Sequence, residues 1–346
     1  MKPRLILIFC LLGLLPITAL AQDEKAKSSK SFSFYLENDL FTGTDREYTN
    51  GIKLTWISQD LTKYREDPRI PEWSYPLIKG LPFVNEPGFQ RAVSLSIGQN
   101  IYTPEDINRS DLLREDRPYA GMTYIGVALH SKSPRRMDTL EIDLGIVGPH
   151  SYADECQKAI HRWIDSPRPN GWKNQLKDEP VLVGFYERKW KFLGLATENG
   201  FGYDLIPHVG GAIGNAYTGI NAGGQIRFGW NLPNDFGTSL IRPGSYTNAP
   251  IDDRDPRFFE PLSRLGLHCF LLIDTHAVLR NIFLDGNTFR ESHSVDKRTF
   301  GADLAAGLGF IIGRFKISYA YVYQTRQYAT QRDAQVYGAV TLTMTY

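Results

Sequence analysis

The sequence predicts an all-β protein, a transmembrane antiparallel β-barrel of about 12 strands with a short α-helix in an extracellular loop. Stretch after stretch alternates between polar and apolar residues at period 2, which is the pattern of a strand with two different faces. Beyond the N-terminus, no apolar run reaches the roughly 20 residues that a membrane-spanning helix needs. The chain also ends on an aromatic residue, Tyr346, behind a strongly alternating segment.

The N-terminus has the three parts of an export signal. Lys2 and Arg4 are followed by an apolar stretch at residues 5–17 and by Ala-Leu-Ala at residues 19–21. We therefore predict that residues 1–21 are a cleaved signal peptide and that residues 22–346 form one outer-membrane β-barrel domain.

Composition excludes some function classes and leaves others open. The 39 Lys and Arg residues nearly balance the 38 Asp and Glu residues, so we expect no nucleic-acid partner. Cys156 and Cys269 are too few for a disulfide framework, and Cys269 falls on a predicted lipid-facing position. An aromatic content of 12% and 31 glycines would suit a soluble β-protein or a membrane barrel, whose strands are only half apolar.

The two faces of the strands decide between those alternatives. In the clearest strand, glycines and Asp303 occupy one face, and aliphatic and aromatic side chains occupy the other. The apolar face comprises Phe300, Ala302, Leu304, Ala306, Leu308, Phe310 and Ile312. A polar lumen inside a hydrocarbon-facing exterior gives this pattern, whereas the strands of a soluble sandwich are usually shorter.

Twelve segments have this alternation, and an even number suits a closed barrel without free edges. They are 31–38, 47–58, 90–101, 119–131, 137–148, 180–193, 200–214, 217–231, 265–279, 298–312, 314–325 and 335–346. The last segment, with its terminal aromatic residue, resembles the signal read by the barrel-assembly machinery, which is therefore an expected partner.

The strand count also predicts which links lie outside the cell. If both termini are periplasmic, the extracellular links are 39–46, 102–118, 149–179, 215–216, 280–297 and 326–334. Two links on the periplasmic side, 59–89 and 232–264, are long and rich in proline. Barrels normally have short turns there, and the sequence offers no reason for the difference.

One extracellular link contains a predicted helix, at residues 151–165. Ser151 and Asp154 resemble a capping box, and Pro167 ends the helical pattern. An apolar stripe is formed by Ala153, Cys156, Ile160, Trp163 and Ile164, and Gln157 and His161 lie on the polar face. We expect the apolar stripe to be buried against the barrel wall or mouth.

Three places could carry chemistry. In the first, the blocks Glu37-Asn38-Asp39 and Tyr48-Thr49-Asn50-Gly51 flank one short loop, and their carboxylate, amide and hydroxyl oxygens suit a hard cation such as calcium, although an ordinary Asx-rich turn explains them too. Strand alternation places Glu37, Asp39 and Thr49 on the inward face. His161 has Asp165 one turn later, and an imidazole held by a carboxylate can take a proton from water, although a bland surface histidine is the alternative.

The third place is the block Asp116-Arg117-Pro118-Tyr119-Ala120-Gly121 at the start of a strand. Asp116 and Arg117 could pair with each other or meet a charged headgroup, and a simple turn explains the block nearly as well.

Several ordered blocks resemble one known family. They are residues 37–41, 45–51, 98–104, 116–121, 145–149 and 159–162. In this order, between residues 31 and about 175, they are similar to the lipid A 3′-O-deacylase family, LpxR, whereas the later strands match in pattern more than in motif.

The resemblance implies a twelve-stranded outer-membrane barrel that is a calcium-dependent esterase facing the cell exterior. Its substrate would be lipid A of lipopolysaccharide, from which it would remove the 3′-linked acyloxyacyl chain. By motif, the implied catalytic residues are His161, Asn38 and Thr49, and the implied metal ligand is Asp39. As in secreted phospholipase A2, His161 would activate a water, calcium would polarise the ester carbonyl, and Asn38 and Thr49 would orient the ion or the substrate.

The chain departs from the family at one functional position. The family's type enzyme has a glutamate six residues after the histidine, where this chain has Pro167. Asp165, Asp178 or Glu179 could replace it, and the sequence does not choose among them. Two other functions stay open, a barrel phospholipase of broader specificity and a non-enzymatic pore or structural barrel.

Overall fold

The structure is a computed structural model that describes residues 29–39, 47–61, 86–196, 200–241, 249–258 and 265–346, with isolated positions between 72 and 84. The predicted signal peptide, residues 1–21, lies outside the described residues.

Thirteen strand segments form one antiparallel sheet in the described part of the chain. They are β1 Ser31–Asn38, β2 Glu47–Ile57, β3 Gln90–Thr103, β4 Ala120–Lys132, β5 Arg136–Val147, β6 Glu179–Trp190, β7 Phe192–Ala196, β8 Phe201–Gly214, β9 Tyr217–Trp230, β10 Leu265–Asn281, β11 Phe300–Ile312, β12 Phe315–Gln324 and β13 Gln335–Thr345.

The thirteen segments make twelve barrel strands. β6 and β7 both pair with β8, and the register that joins Lys189 to His208 continues as Phe192 paired with Leu205. They are therefore one strand interrupted at Lys191. The pairing of β6 with β8 and of β1 with β13 closes the sheet, so the prediction of twelve strands is confirmed.

The two faces of the wall differ as the alternation predicts. On β3, Leu95 is 49% exposed and Ile97 is 51% exposed, whereas Ser94 and Ser96 between them are buried in the lumen. On β4, Ile125 and Val127 are likewise exposed. Cys269 lies on the same outer face of β10, as predicted. An apolar outer belt of this kind is suited to lipid hydrocarbon.

The links alternate between two ends of the barrel. At the termini end, Lys30 and Tyr346 exchange backbone hydrogen bonds. At the opposite end, here called the loop end, lie the helix α1 (Ala153–Ile164) and the short helix α2 (Ile282–Asp285). No helix among the described residues is both long enough and apolar enough to cross a bilayer.

The long link after β9 enters the lumen, which explains its length. Asp235 in this link accepts hydrogen bonds from Arg227 Nη1 (2.6 Å) and Lys316 Nζ (2.6 Å) of the barrel wall, and from Arg257 Nη2 (3.1 Å). All four side chains are buried. The segment is thus an internal plug held by ion pairs.

The described residues of the other long link, between β2 and β3, lie on the outside. Its Leu61, Phe83 and Val84 are buried against four residues of the outer wall near the termini end, Val93, Leu129, Leu140 and Tyr186. Both links that contradict the rule of short turns therefore cover barrel surface, one inside and one outside.

Candidate active site

Helix α1 begins directly against the outer wall at the loop end. Gly121 belongs to the outward phase of β4, and a Cβ atom there would lie 2.0 Å from the Cβ of Ala153. Ile101, on the outward phase of β3, is fully buried in a cluster with Ala153, Tyr119 and Trp172. Only a glycine at position 121 lets the helix approach the strand so closely.

The turn before the helix is fixed by the same wall. Ser151 O accepts hydrogen bonds from Gln99 Nε2 (2.8 Å) and Thr123 Oγ1 (2.8 Å). The predicted capping box is wrong, because Ser151 Oγ donates to Gly148 O (2.6 Å) and Tyr152 occupies the N-cap. Docking to the wall thus replaces side-chain capping at this end of the helix.

The face that α1 buries is only partly the predicted one. Ala153 of the predicted apolar stripe is buried and Cys156 packs beside it, but Gln157 and His161 of the polar face are buried too, and Trp163 is 51% exposed. The expectation applied the rule for a soluble protein, in which the apolar stripe faces inwards. A helix on the outside of a membrane barrel has an apolar medium on its far side, so its polar stripe can face the protein.

His161 is held in one orientation by a carbonyl group. Its Nδ1 lies 2.6 Å from Pro167 O. Because a carbonyl can only accept, Nδ1 carries the proton and donates it, which leaves Nε2 as the acceptor. The residue at the family's glutamate position therefore contributes its backbone to His161 instead of a carboxylate.

None of the three proposed replacement acids makes this contact. Asp165 is the C-cap of α1 with a positive φ of 59° and an exposed side chain. Asp178 pairs with His150 Nδ1 at 2.7 Å. Burial raises the pKa of Asp178, but hydrogen bonds from the backbone and ring of His150 lower it by more. The net pKa of Asp178 is therefore below the ordinary value of an aspartate. Glu179 accepts from Thr288 N (2.7 Å).

Gln157 lies one turn before His161 on the same buried face. Its Oε1 accepts from Trp172 Nε1 at 2.7 Å, which fixes the orientation of the amide. Its Nε2 is buried and has no acceptor in the part of the chain that the structure describes. Sequence patterning placed Gln157 on the polar face of the helix without a role, because its role depends on which helix face meets the wall.

Asn38 and Asn50 belong to the same row of the outer wall as the start of the helix. The register joins Asn38 to Asn50, Asn50 to Ile101, and Ile101 to Gly121. Asn50 is only 4% exposed, and its Oδ1 has no donor among the described residues. Asn50 belongs to the predicted group of oxygen donors, but strand alternation did not assign it to a face.

Asp39 and Thr49 stand where the regular alternation stops. Glu37 faces the lumen and accepts from Ile241 N, as its inward assignment predicts. Asp39 is completely buried just beyond the last residue of β1. The pairing of β2 with β3 shifts between Tyr48 and Asn50, so Thr49 is the extra residue of a bulge and alternation does not fix its face.

The Asp116 block makes its contacts at the loop end of the barrel. Asp116 accepts from Tyr328 Oη (2.6 Å) and from Glu105 N (2.8 Å). The guanidinium of Arg117 instead stacks on the ring of Tyr102, with its central carbon 4.7 Å from the ring centroid. The two side chains therefore act separately rather than as a pair.

These observations define a class of protein. A closed barrel with an apolar outer belt, a plugged lumen and a polar helix face packed on its outer wall is an integral outer-membrane β-barrel. The chain belongs to the LpxR family, since the family described as "Outer membrane protein LpxR" matches residues 5–346. No curated protein sequence matches the chain.

Solved structures agree on the fold. LpxR from Salmonella typhimurium is similar with a TM-score of 0.69 and 18% identity, covering 91% of this chain and 99% of that chain. At this identity the likeness shows the fold alone. The β domain of the Bordetella autotransporter BrkA has a TM-score of 0.43 and 8% identity, covering 92% of this chain and 98% of that chain, and this likeness is too weak to compare the two folds.

Proposed function

We propose that this protein is an outer-membrane ester hydrolase that removes the 3′-linked acyloxyacyl chain of lipid A, with His161 as the general base. The observation that carries the proposal is a buried histidine on the wall-facing side of a docked helix, with its tautomer fixed by Pro167 O at 2.6 Å. LpxR family membership supports the reaction class.

The chemistry of His161 follows from its tautomer. Because Nδ1 donates to Pro167 O, Nε2 has the free lone pair that can take a proton from a water molecule. A carbonyl partner orients the ring but stabilises the imidazolium less than a carboxylate would. We therefore expect slower proton transfer than in an enzyme whose general-base histidine is held by a carboxylate.

The donor set near Asn38 fits calcium. Calcium prefers carboxylate, amide and hydroxyl oxygens, and the buried Asn50 Oδ1, which has no donor among the described residues, is such an oxygen. Asp39 would supply the carboxylate, and Asn38, Thr49 and Asn50 would complete or orient the site. A bound calcium ion would supply electrophilic stabilisation of the ester carbonyl.

The dimensions allow His161 to face this donor set. The eight residue steps from Ala153 to His161 cover about 12 Å of helix axis. The row from Gly121 to Asn38 crosses three strand spacings, which is roughly 14 Å. Because the start of α1 packs on both Gly121 of β4 and Ile101 of β3, we propose that its course continues towards β2 and β1.

Gln157 would add a hydrogen-bond donor. Its Nε2 is buried beside His161, and Trp172 holds the amide in place through Oε1. A preoriented donor of this kind stabilises a developing oxyanion.

The outer wall is also a reasonable place for this reaction. A lipid substrate that stays in the membrane can present its ester linkage to a crevice on the outside of the barrel, while its acyl chains remain in hydrocarbon. The proposal includes cleavage of residues 1–21 and a crevice that faces the cell exterior.

The test replaces His161 with alanine and compares lipid A by mass spectrometry, with and without calcium. We expect wild type to release the 3′-linked chain only with calcium, and the variant to lose about 10²- to 10⁴-fold in rate. His150→Ala is the matched control, because His150 lies in the same loop, is exposed and pairs with Asp178.

Identical lipid A from wild type and His161→Ala would contradict the proposal. Hydrolysis of phospholipid micelles that survives the loss of His161 would instead favour a phospholipase of broader specificity. Ion conductance in planar bilayers without any hydrolysis would favour a pore.

A further inference from the structure

A second polar cluster lies inside the barrel, separate from the outer-wall crevice. Asp274 and Asp303 are register partners on β10 and β11, and both are buried. His276 lies two residues along β10 on the same face. One ligand atom from each of these three residues lies within 4.8 Å of the others.

Glycines make room for the imidazole rings. A Cβ at Gly301 would lie 2.4 Å from His276 Nε2, so this ring lies over the bare backbone of β11. A Cβ at Gly223 would lie 2.9 Å from His208 Cε1. Both rings can lie flat against the wall only because these two positions lack side chains.

Neighbouring groups orient the carboxylates. Asp274 Oδ1 pairs with His208 Nε2 at 2.6 Å and accepts from Asn221 Nδ2 at 2.9 Å. Asp303 Oδ1 accepts from Gln324 Nε2 at 2.8 Å. Outer contacts of this kind hold ligating carboxylates in place at protein metal centres.

The cluster faces a cavity of about 250 Å³ between the plug and the loop end. The described lining includes several carboxylates but only one lysine, Lys189. The carboxylates are Glu37, Asp143, Glu187, Asp274 and Asp303. Such a lining favours a cation.

We propose that Asp274, His276 and Asp303 bind a divalent transition-metal ion in the barrel lumen, with His208 positioning Asp274. Imidazole with two carboxylates suits zinc, manganese or cobalt better than calcium, which prefers an all-oxygen shell. His276 Nδ1 and Asp303 Oδ2 are 3.9 Å apart, whereas two ligands of a tetrahedral zinc ion lie roughly 3.4 Å apart. A small contraction would therefore complete the site.

The ion would link β10 and β11 and would not take part in the hydrolysis. The proposal therefore stands independently of the proposed function. Metal binding itself is the readout, and no enzyme assay is needed.

The experiment titrates the full chain in detergent micelles with Co²⁺ after treatment with a chelator. Visible absorption of cobalt reports histidine coordination, and competition with Zn²⁺ gives the affinity. We expect one Co²⁺ per chain, displaced by Zn²⁺ but not by Ca²⁺. Asp303→Asn and His276→Gln should each weaken binding at least tenfold.

His150→Gln is the matched control, because it removes an exposed imidazole that also pairs with a single aspartate, and it should bind Co²⁺ like wild type. Gly301→Ala keeps every ligand but displaces the ring of His276, so it should also weaken binding. Thermal unfolding without metal verifies that each variant is folded. No saturable cobalt spectrum, or equal affinity in wild type, Asp303→Asn and His276→Gln, would overturn the proposal.

Discussion

The outer wall and the lumen of this barrel both carry buried polar groups, but the two regions differ in what those groups mean. The lumen contains buried ion pairs beside apolar clusters, and its ion pairs, such as Arg227 with Asp235, hold the plug in place. On the described outer wall, Asp138 and Arg188 pair near the termini end, whereas Asn38, Asn50 and Thr123 occupy the lipid-facing phase at the loop end of β1 to β4. Polar residues in that phase are therefore the stronger indication of a site.

The largest effect is expected from separating α1 from the wall. Gly121→Val would place its side chain against Ala153, since even a Cβ would lie 2.0 Å from the Cβ of that residue. We expect deacylation to fall to the level of His161→Ala while the barrel stays folded. Gly184→Val is the matched control, because a Cβ at Gly184 meets no atom closer than 3.9 Å. Unchanged lipid A profiles for both variants would show that docking of α1 is not needed.

A smaller loss of activity is expected at Gln157. Gln157→Leu keeps the volume of the side chain but removes the buried Nε2, and loss of one oxyanion donor lowers kcat by about 100-fold. We expect KM to change little, and Trp172→Phe, which frees the amide, to give an intermediate kcat. A rise in KM at constant kcat would assign Gln157 to substrate binding instead.

The lumen should respond in stability rather than in activity. Asp235→Asn leaves Arg227, Lys316 and Arg257 without their shared carboxylate, and breaking a buried ion pair costs about 3–5 kcal/mol. We expect a lower unfolding temperature and unchanged deacylation. Lost activity at an unchanged unfolding temperature would contradict this separation of the two regions.

The same carboxylate predicts a pH dependence. Burial raises the pKa of Asp235, but the positive charges of Lys316, Arg227 and Arg257 lower it by more than burial raises it. The net pKa lies well below the ordinary value of an aspartate. A group with a depressed pKa stabilises the fold above its ordinary pKa, and the stabilisation is lost as the pH falls below about 4. The thermal unfolding temperature of wild type should therefore fall more in acid than that of Asp235→Asn.

The smallest effect is expected at the exposed edge of α1. Trp163 is 51% exposed on the face away from the wall, where lipid would meet it. We expect Trp163→Ser to lower activity only a few-fold on membranes and not at all in detergent micelles. An equal loss in both media would place Trp163 in the crevice.

Strand alternation predicted most of the fold and part of the site. It gave the twelve strands, the lipid-facing phase of Cys269 and the inward direction of Glu37, because side-chain period and hydrogen-bond register are local properties of a strand. It did not predict the plug, since the partners of Asp235 lie on different strands. Helical periodicity predicted only part of the buried face of α1, because the sequence of a helix does not show whether water or lipid lies on its far side.

The hydrogen bond between His161 and Pro167 shows the same limit of prediction from the sequence. Sequence comparison marked Pro167 as a missing carboxylate, but only coordinates show that its backbone oxygen holds the ring. Asn50 was likewise a predicted oxygen donor without an assigned face until the register placed it in the row of Asn38 and Gly121.

A crystal structure grown with calcium tests the central claim most directly. We predict an ion about 2.3–2.6 Å from the carboxylate of Asp39 and from Asn50 Oδ1, on the outer side of the wall, with Nε2 of His161 facing it across the crevice. An ion bound without Asp39, or a His161 ring that faces away from the ion, would contradict the account.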